Sequence, residues 1–220
     1  LEEQDTLRLV ILRGAGRTFS AGADLEWMKA AQHWTREDNE ADAMALAVML
    51  RKLAELPQMT LALVQGAAMG GGAGLVAACD VAVAMKGTKF RFSEVRLGLT
   101  PATISPFVIS AIGPRWTKAL FVTGEMFDAA FAEKIGLVQY VVDDTAELAK
   151  MEEYLADLVM HAAPGAVRDA KQLVLDFADE PLSDALSRES ARRIAARRIS
   201  EEGKEGLAAF LEKRKPGWAD

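Results

Sequence analysis

A glycine-rich stretch in the first half of the chain places the strongest limit on its fold. Residues 61–64 are apolar and predict a buried strand, four of residues 70–74 are glycine, and residues 75–79 predict the first turns of a buried helix. Glycine permits close approach of a ligand, and a helix start leaves N–H groups without acceptors. The stretch therefore predicts a strand–turn–helix unit that either packs a helix tightly on a sheet or holds a developing negative charge.

Composition narrows the class of protein. The chain has 220 residues, half of them hydrophobic, and a formal net charge of −6, so we expect one large domain or one domain with an appended piece and no nucleic-acid or anionic-membrane surface. The single cysteine, Cys79, allows no disulfide framework and indicates a reducing compartment, which we take to be the cytoplasm. No apolar run reaches membrane-spanning length and no secretory signal is visible. Because the chain begins with Leu1 and a strand follows closely, we expect further residues before it.

Strands and helices alternate over the first two thirds of the chain. The pattern predicts strands at residues 9–12, 61–64, 81–84, 90–92 and 139–142, and helices at 25–31, 41–56, 75–79, 107–112, 115–122 and 129–135. Thr35 and Asp38 have the spacing of a weak capping box. From residue 145 onward the pattern is almost wholly helical. We therefore predict an α/β core over residues 1–142 and a helical C-terminal segment over residues 143–220.

The common cofactor-binding and catalytic motifs are weak or absent in this sequence. Residues 72–77 fit the loose form of a dinucleotide fingerprint with Glu94 downstream, but a whole strand intervenes before that glutamate. No Gly-Lys-Ser/Thr follows the glycines, which argues against a phosphate-binding loop. The two histidines, His33 and His161, lack metal-ligand spacing, so we expect no metal site.

Two backbone-rich loops and one carboxylate remain. The first loop is residues 20–24 and the glycine loop is residues 70–72, and each follows a strand and opens a helix. Two such loops can aim N–H groups at one point and form an oxyanion hole without a special side chain. Glu94 ends a strand in apolar surroundings, which would raise its pKa and suit it to acid–base work. The alternative is a rim carboxylate paired with Arg91 or Arg96.

These residues resemble a known family. The order and spacing are similar to those of the crotonase (enoyl-CoA hydratase/isomerase) superfamily, and in motif most of all to bacterial hydratases of the methylglutaconyl-CoA type. The family's first strands and the helix after them have no counterpart here. The segments that carry the family resemblance are residues 19–25, 66–72, 79–84, 92–101, 123–124, 132–138 and 210–216, and residues 72–80 and 93–108 carry the likeness to the methylglutaconyl-CoA type.

The resemblance implies a ClpP/crotonase-like spiral of ββα turns with a helical C-terminal trimerisation segment, assembled as a homotrimer or a dimer of trimers. It implies an acyl-CoA thioester substrate and no separate cofactor, since coenzyme A is part of the substrate. The N–H groups of Ala23 and Gly71 would bind the thioester oxygen, and Glu94 would handle the proton at C2. The substrate-binding residues that it implies are Ala21, Asp24, Trp27, Met28, Gly70, Gly74, Pro101 and Lys213, with Trp34 over the acyl pocket and Lys215 beside Lys213.

The sequence departs from the family at one catalytic position. Hydratases of this family usually carry a second glutamate two residues after the Gly-Gly-Gly run, and Gly74 stands there. A hydratase-type lyase in which Glu94 acts alone, with a water held by backbone or with a substrate carboxylate, is our first expectation. A Δ3,Δ2-enoyl-CoA isomerase, in which one carboxylate moves a proton between C2 and C4, is the alternative.

A protein of another class is also compatible with the sequence. Gly74 and the basic helix face that includes Arg192 and Arg197 would suit a weakly active scaffold or RNA-binding protein built on the same fold. The net charge of −6 counts against that alternative.

Overall fold

A computed structural model describes residues 7–219 of the chain. They divide into two compact units. We call residues 11–54 and 60–152 the sheet unit, and residues 7–10, 55–59 and 153–219 the helical unit. The candidate site lies in the sheet unit.

Two small sheets organise the strands. A four-stranded sheet has the order β1 (Leu9–Arg13), β2 (Met59–Val64), β4 (Val81–Met85), β7 (Tyr140–Val142), and β2–β4 and β4–β7 are parallel. A three-stranded sheet has the order β3 (Ala67–Met69), β5 (Lys89–Arg91), β6 (Met126–Asp128), with β3–β5 parallel and β5–β6 antiparallel.

Helices follow the strands in a repeating pattern. The chain passes from β2 to β3 and into α3, and then from β4 to β5 and into a short 3-10 helix and α4, so each repeat adds one strand to each sheet. This is the predicted spiral of ββα turns. The helices are α1 (Leu25–Ala31), α2 (Arg36–Glu55), α3 (Gly71–Ala78), the 3-10 helix (Glu94–Leu97), α4 (Ser105–Thr123), α5 (Ala129–Ile135), α6 (Thr145–Met160), α7 (Pro164–Phe177), α8 (Asp184–Arg198) and α9 (Glu201–Glu212).

The starts of β2 and β4 are tied together by a polar pair. The N–H and the hydroxyl of Thr60 donate to the Asp80 carboxylate at 2.7 and 3.0 Å, and the Asp80 N–H donates back to the Thr60 oxygen at 2.8 Å. These bonds satisfy the fully buried Thr60 and fix the register in which Leu61 faces Val81. The register in turn sets where the glycine loop leaves the sheet.

The capping box predicted at Thr35 and Asp38 is confirmed. The Thr35 N–H donates to the Asp38 carboxylate and the Asp38 N–H donates to the Thr35 hydroxyl, each at 3.1 Å, so α2 begins at Arg36, ahead of the apolar spacing that predicted a helix from residue 41. Two other predictions about elements were wrong. Helix α3 begins inside the glycine run at Gly71 rather than at residue 75, since burial outweighs the poor helix propensity of glycine. The strands β3 and β6 were missed because three residues carry no readable alternation.

Candidate active site

Ser20 joins the first loop to the strand that carries the glycine loop. Its N–H donates to the Ala67 carbonyl at 2.9 Å, and the Met69 N–H donates to the Ser20 carbonyl at 3.1 Å. A Cβ built on Gly22 would lie 3.8 Å from the Met69 Cβ, and one on Gly72 only 2.3 Å from the Ser20 Cβ. The structure therefore brings the first loop and the glycine loop together, and Gly72 is required for their contact.

Asp24 ends the first loop as the N-cap of α1. Its carboxylate accepts the N–H groups of Glu26 and Trp27 at 2.8 and 3.0 Å. Ala21 and Ala23 are exposed beside it. The side chain of Asp24 thus holds the start of a helix, and its predicted role at the substrate would have to come through the position of the loop.

Gly70 shapes the turn that opens α3. It has φ 51 and ψ −121, a conformation that favours glycine, and its N–H donates to the Arg91 carbonyl at 2.8 Å. Helix α3 starts at the next residue, so the Gly71 N–H is among the helix-start donors that have no acceptor within the helix. The turn can thus present the Gly71 N–H to a ligand oxygen.

The carboxyl of Glu94 lies against the same turn. Its Oε1 is 3.3 Å from the point where a Cβ of Gly70 would stand, and its buried Oε2 has no hydrogen-bond partner among the described residues. Burial raises the pKa of Glu94 above its ordinary value of 4.5, against a smaller opposing effect of its own backbone N–H. A half-buried carboxyl with a free oxygen is suited to taking and giving a proton.

Two neighbouring arginines leave Glu94 unpaired. The Nε atoms of Arg91 and Arg96 donate to one acceptor, the Gly124 carbonyl, at 2.7 and 2.9 Å. In the part of the chain that the structure describes, neither guanidinium bonds to Glu94. The alternative in which Glu94 is a rim carboxylate paired with Arg91 or Arg96 is therefore wrong, because both guanidinium groups hydrogen-bond to the Gly124 carbonyl at the end of α4.

Gly74 faces an isoleucine. A Cβ built on Gly74 would lie 2.2 Å from Cγ2 and 2.7 Å from Cβ of Ile104, which is 1% exposed. The place into which a side chain at position 74 would extend is thus already filled. The sequence did not predict a role for Ile104, because its contact with Gly74 joins residues thirty positions apart and no local pattern indicates it.

The aromatic residues expected near the acyl chain pack against each other. The rings of Trp27 and Trp34 meet edge to face with centroids 5.8 Å apart, and the Trp27 Nε1 donates to Asp42 at 3.1 Å. Trp27 is 39% exposed and Met28 is half-buried. These contacts fix Trp27 at one edge of the first loop, while its role toward a substrate stays a prediction.

The remaining predicted residues lie further along the chain. Pro101 is buried in the segment between the 3-10 helix and α4. Lys213 belongs to the helical unit, where it ends α9 in a left-handed conformation with φ 54 and is exposed. Within residues 7–219 no cluster of His, Cys, Asp or Glu could hold a metal ion, and no helix is long and apolar enough to cross a membrane.

Comparisons with known proteins identify the family. The family model described as enoyl-CoA hydratase/isomerase matches residues 1–220. An enoyl-CoA isomerase/hydratase from Mycosarcoma maydis is 35% identical over 98% of this chain and 77% of its own length. A short-chain-enoyl-CoA hydratase from Clostridium acetobutylicum is 33% identical over 98% and 81%. The crystal structure of an enoyl-CoA hydratase from Shewanella pealeana superposes with a TM-score of 0.95 at 37% identity, over 99% of this chain and 81% of that one.

Fold and comparisons together define a crotonase-fold protein. The chain belongs to the enoyl-CoA hydratase/isomerase family, whose substrates are acyl-CoA thioesters.

Proposed function

We propose that this protein is an enoyl-CoA hydratase-type lyase that adds water reversibly to a 2-enoyl-CoA thioester, with Glu94 as its only acid–base carboxylate. The observation that carries the proposal is the position of Glu94 against the Gly70 turn, with a buried oxygen that no described residue uses. The hydratase names of several relatives support the choice of reaction.

The two loops would stabilise the enolate in this reaction. The N–H groups of Ala23 and Gly71 bind the thioester oxygen, which gains negative charge when C3 is attacked. Losing one such donor typically costs about 2.7–4 kcal/mol of barrier. The contact of the first loop with the glycine loop through Ser20 and Gly72 supports this pairing of donors.

One carboxylate is sufficient for the proton balance. Ionised Glu94 takes a proton from water as the oxygen attacks C3, and the electron pair of the double bond moves to the thioester oxygen. Glu94 then returns that proton to C2 as the enolate collapses. One water molecule has been added, and Glu94 is again a carboxylate.

Double-bond migration is a second candidate, favoured by a specific observation. Ile104 fills the space over Gly74, where a second carboxylate would act on water. In the isomerase reaction Glu94 takes a proton from C2 of a 3-enoyl-CoA and returns it to C4, and no water is needed. Both reactions use the same enolate-binding loops.

The wider site would bind the rest of the substrate. In this proposal coenzyme A passes the first loop beside Ala21 and Asp24, and the acyl chain is bordered by Trp27, Met28, Gly70, Gly74 and Pro101. No separate cofactor is required. We further propose a homotrimer or a dimer of trimers in the cytoplasm, in which Lys213 reaches the coenzyme A phosphates of a neighbouring subunit.

A panel of thioesters tests the reaction. Purified protein is mixed with 2-enoyl-CoA and 3-enoyl-CoA esters, including glutaconyl-type esters with a distal carboxylate. Products are separated by liquid chromatography, and the hydrated ester is identified by the mass of one added water. The isomerised ester, which has the mass of the substrate, is identified by its retention time and its conjugated-enoyl absorbance. We expect hydration of at least one 2-enoyl ester. Migration without hydration would replace the lyase with the isomerase, and inertness toward every ester would refute both.

A further inference from the structure

Hydrogen bonds at two helix starts fix the backbone of Gly74 and of Ile104, whose side chain contacts Gly74. The Gly74 N–H donates to the Gly70 carbonyl at 3.1 Å in the first turn of α3, and the Ile104 carbonyl accepts the Val108 N–H at 3.1 Å at the start of α4. Neither backbone can withdraw without breaking a helix-start bond. A side chain at position 74 therefore has to displace Ile104 itself, and Ile104 is buried.

This contact lies one helical turn from the Glu94 carboxyl. Gly70, which faces Glu94, and Gly74, which faces Ile104, are four residues apart at the start of α3. The first turn of the helix therefore has a carboxyl beside one glycine and a packed isoleucine beside the next. A second acid–base side chain on this helix would have to be at position 74.

We propose that Ile104 is the specificity-determining residue that restricts this site to a single carboxylate. Its side chain excludes any side chain at position 74 and closes that side of the site with an apolar wall. Substrates are then selected for reactions in which Glu94 alone can take and return the proton. The second half of this inference rests on the proposed function, while the steric exclusion does not.

The steric part is tested by a double-mutant cycle on stability. Gly74→Ala, Ile104→Gly and the double variant are compared with wild type by thermal unfolding, and glycine is acceptable at the N-cap position of α4 that Ile104 holds. We expect Gly74→Ala to lower Tm clearly in the wild-type background and by less than half as much in the Ile104→Gly background. Equal losses in the two backgrounds would overturn the exclusion.

The catalytic part is tested by adding a carboxylate. Gly74→Glu/Ile104→Gly is compared with its matched control, Gly74→Gln/Ile104→Gly, which has the same shape without the charge. We expect the first to hydrate crotonyl-CoA at least tenfold faster than the second. Equal rates would show that Ile104 does not exclude a useful carboxylate.

The two tests separate this inference from the proposed function. If wild type and all variants are inert toward every enoyl-CoA ester, the proposed function fails and with it the catalytic half of the inference. The stability cycle still decides the steric half in that case, because it needs no substrate. Strong coupling in that cycle together with equal rates for the two double variants would refute the catalytic half alone.

Discussion

At the scale of single residues, the burial of Glu94 makes its ionisation costly. Because its pKa is raised in the folded protein, the folded state binds more protons than the unfolded state between the ordinary value of 4.5 and the raised value. The free energy of unfolding therefore falls as pH rises through that window.

This linkage predicts a pH-dependent gain in the Glu94→Gln variant. Relative to wild type its Tm should rise as pH increases from about 4 to 8, because the variant has no buried charge to form. The Tm difference measured over this range checks the sign. The exposed Glu125→Gln variant serves as the control, and a Tm difference for Glu94→Gln that is flat with pH would contradict the assigned burial.

At the scale of elements, the segment that carries Glu94 depends on the turn at the end of α4. Gly124 has φ 53, and a Cβ built there would lie 3.1 Å from the Val95 Cγ2 and 3.3 Å from the Arg96 Nε. Gly87 has φ 87 and open space around it. The two glycines therefore share a left-handed backbone and differ in what a methyl group would meet.

Alanine at these two positions gives a matched pair. Both Gly124→Ala and Gly87→Ala should cost about 1–2 kcal/mol of unfolding free energy for the left-handed conformation, and Gly124→Ala about 1–3 kcal/mol more for the added crowding. Only Gly124→Ala should also lower kcat/KM, because Val95 and Arg96 adjoin Glu94. Denaturant unfolding and initial rates measure both. If Gly124→Ala and Gly87→Ala changed stability and kcat/KM equally, Gly124 would have no role in positioning Glu94.

Sequence alone predicted the elements that carry strong local signals. Helices α1 and α5 were predicted to the residue, and the break in α4 falls at Gly113, which has φ 72. The missed strand β3 forms by pairing with β5, as Ala68 with Phe90. Such nonlocal contacts leave no local periodicity.

The candidate site was predictable to a similar depth. The two loops and Glu94 follow from glycine content, strand ends and an apolar setting. The partners of Arg91 and Arg96 and the packing of Ile104 on Gly74 did not follow, because they join residues that are distant in sequence. The structure places Glu94 against Gly70 and Ile104 against Gly74, both at the start of α3.

At the scale of the whole molecule, the family match runs through both units and covers residues 1–220. In the helical unit, Lys213 is the C-cap of α9. It has φ 54, a left-handed conformation that glycine usually adopts at this position. In the proposed assembly this lysine contacts the coenzyme A phosphates of a neighbouring subunit.

Replacing Lys213 with glycine separates the effect of its backbone conformation on stability from the effect of its charge on coenzyme A binding. Lys213→Gly should raise the free energy of unfolding by about 1 kcal/mol, because glycine adopts the left-handed conformation without strain. It should also raise KM for a CoA thioester about 2- to 5-fold, the size of an exposed ion pair, and leave KM for the matching pantetheine thioester unchanged. An equal change for both thioesters, or none, would remove Lys213 from coenzyme A binding.

The most direct test of the single-carboxylate account is the activity of Glu94→Gln, scored for both hydration and double-bond migration on the ester that wild type uses best. Because the proposed mechanism assigns both proton transfers to Glu94, kcat/KM should fall about 10²–10⁴-fold for both reactions, in a protein that still binds the substrate and unfolds cooperatively. Glu125→Gln should keep wild-type rates. Substantial hydration by Glu94→Gln would show that another group moves the proton and would contradict the account.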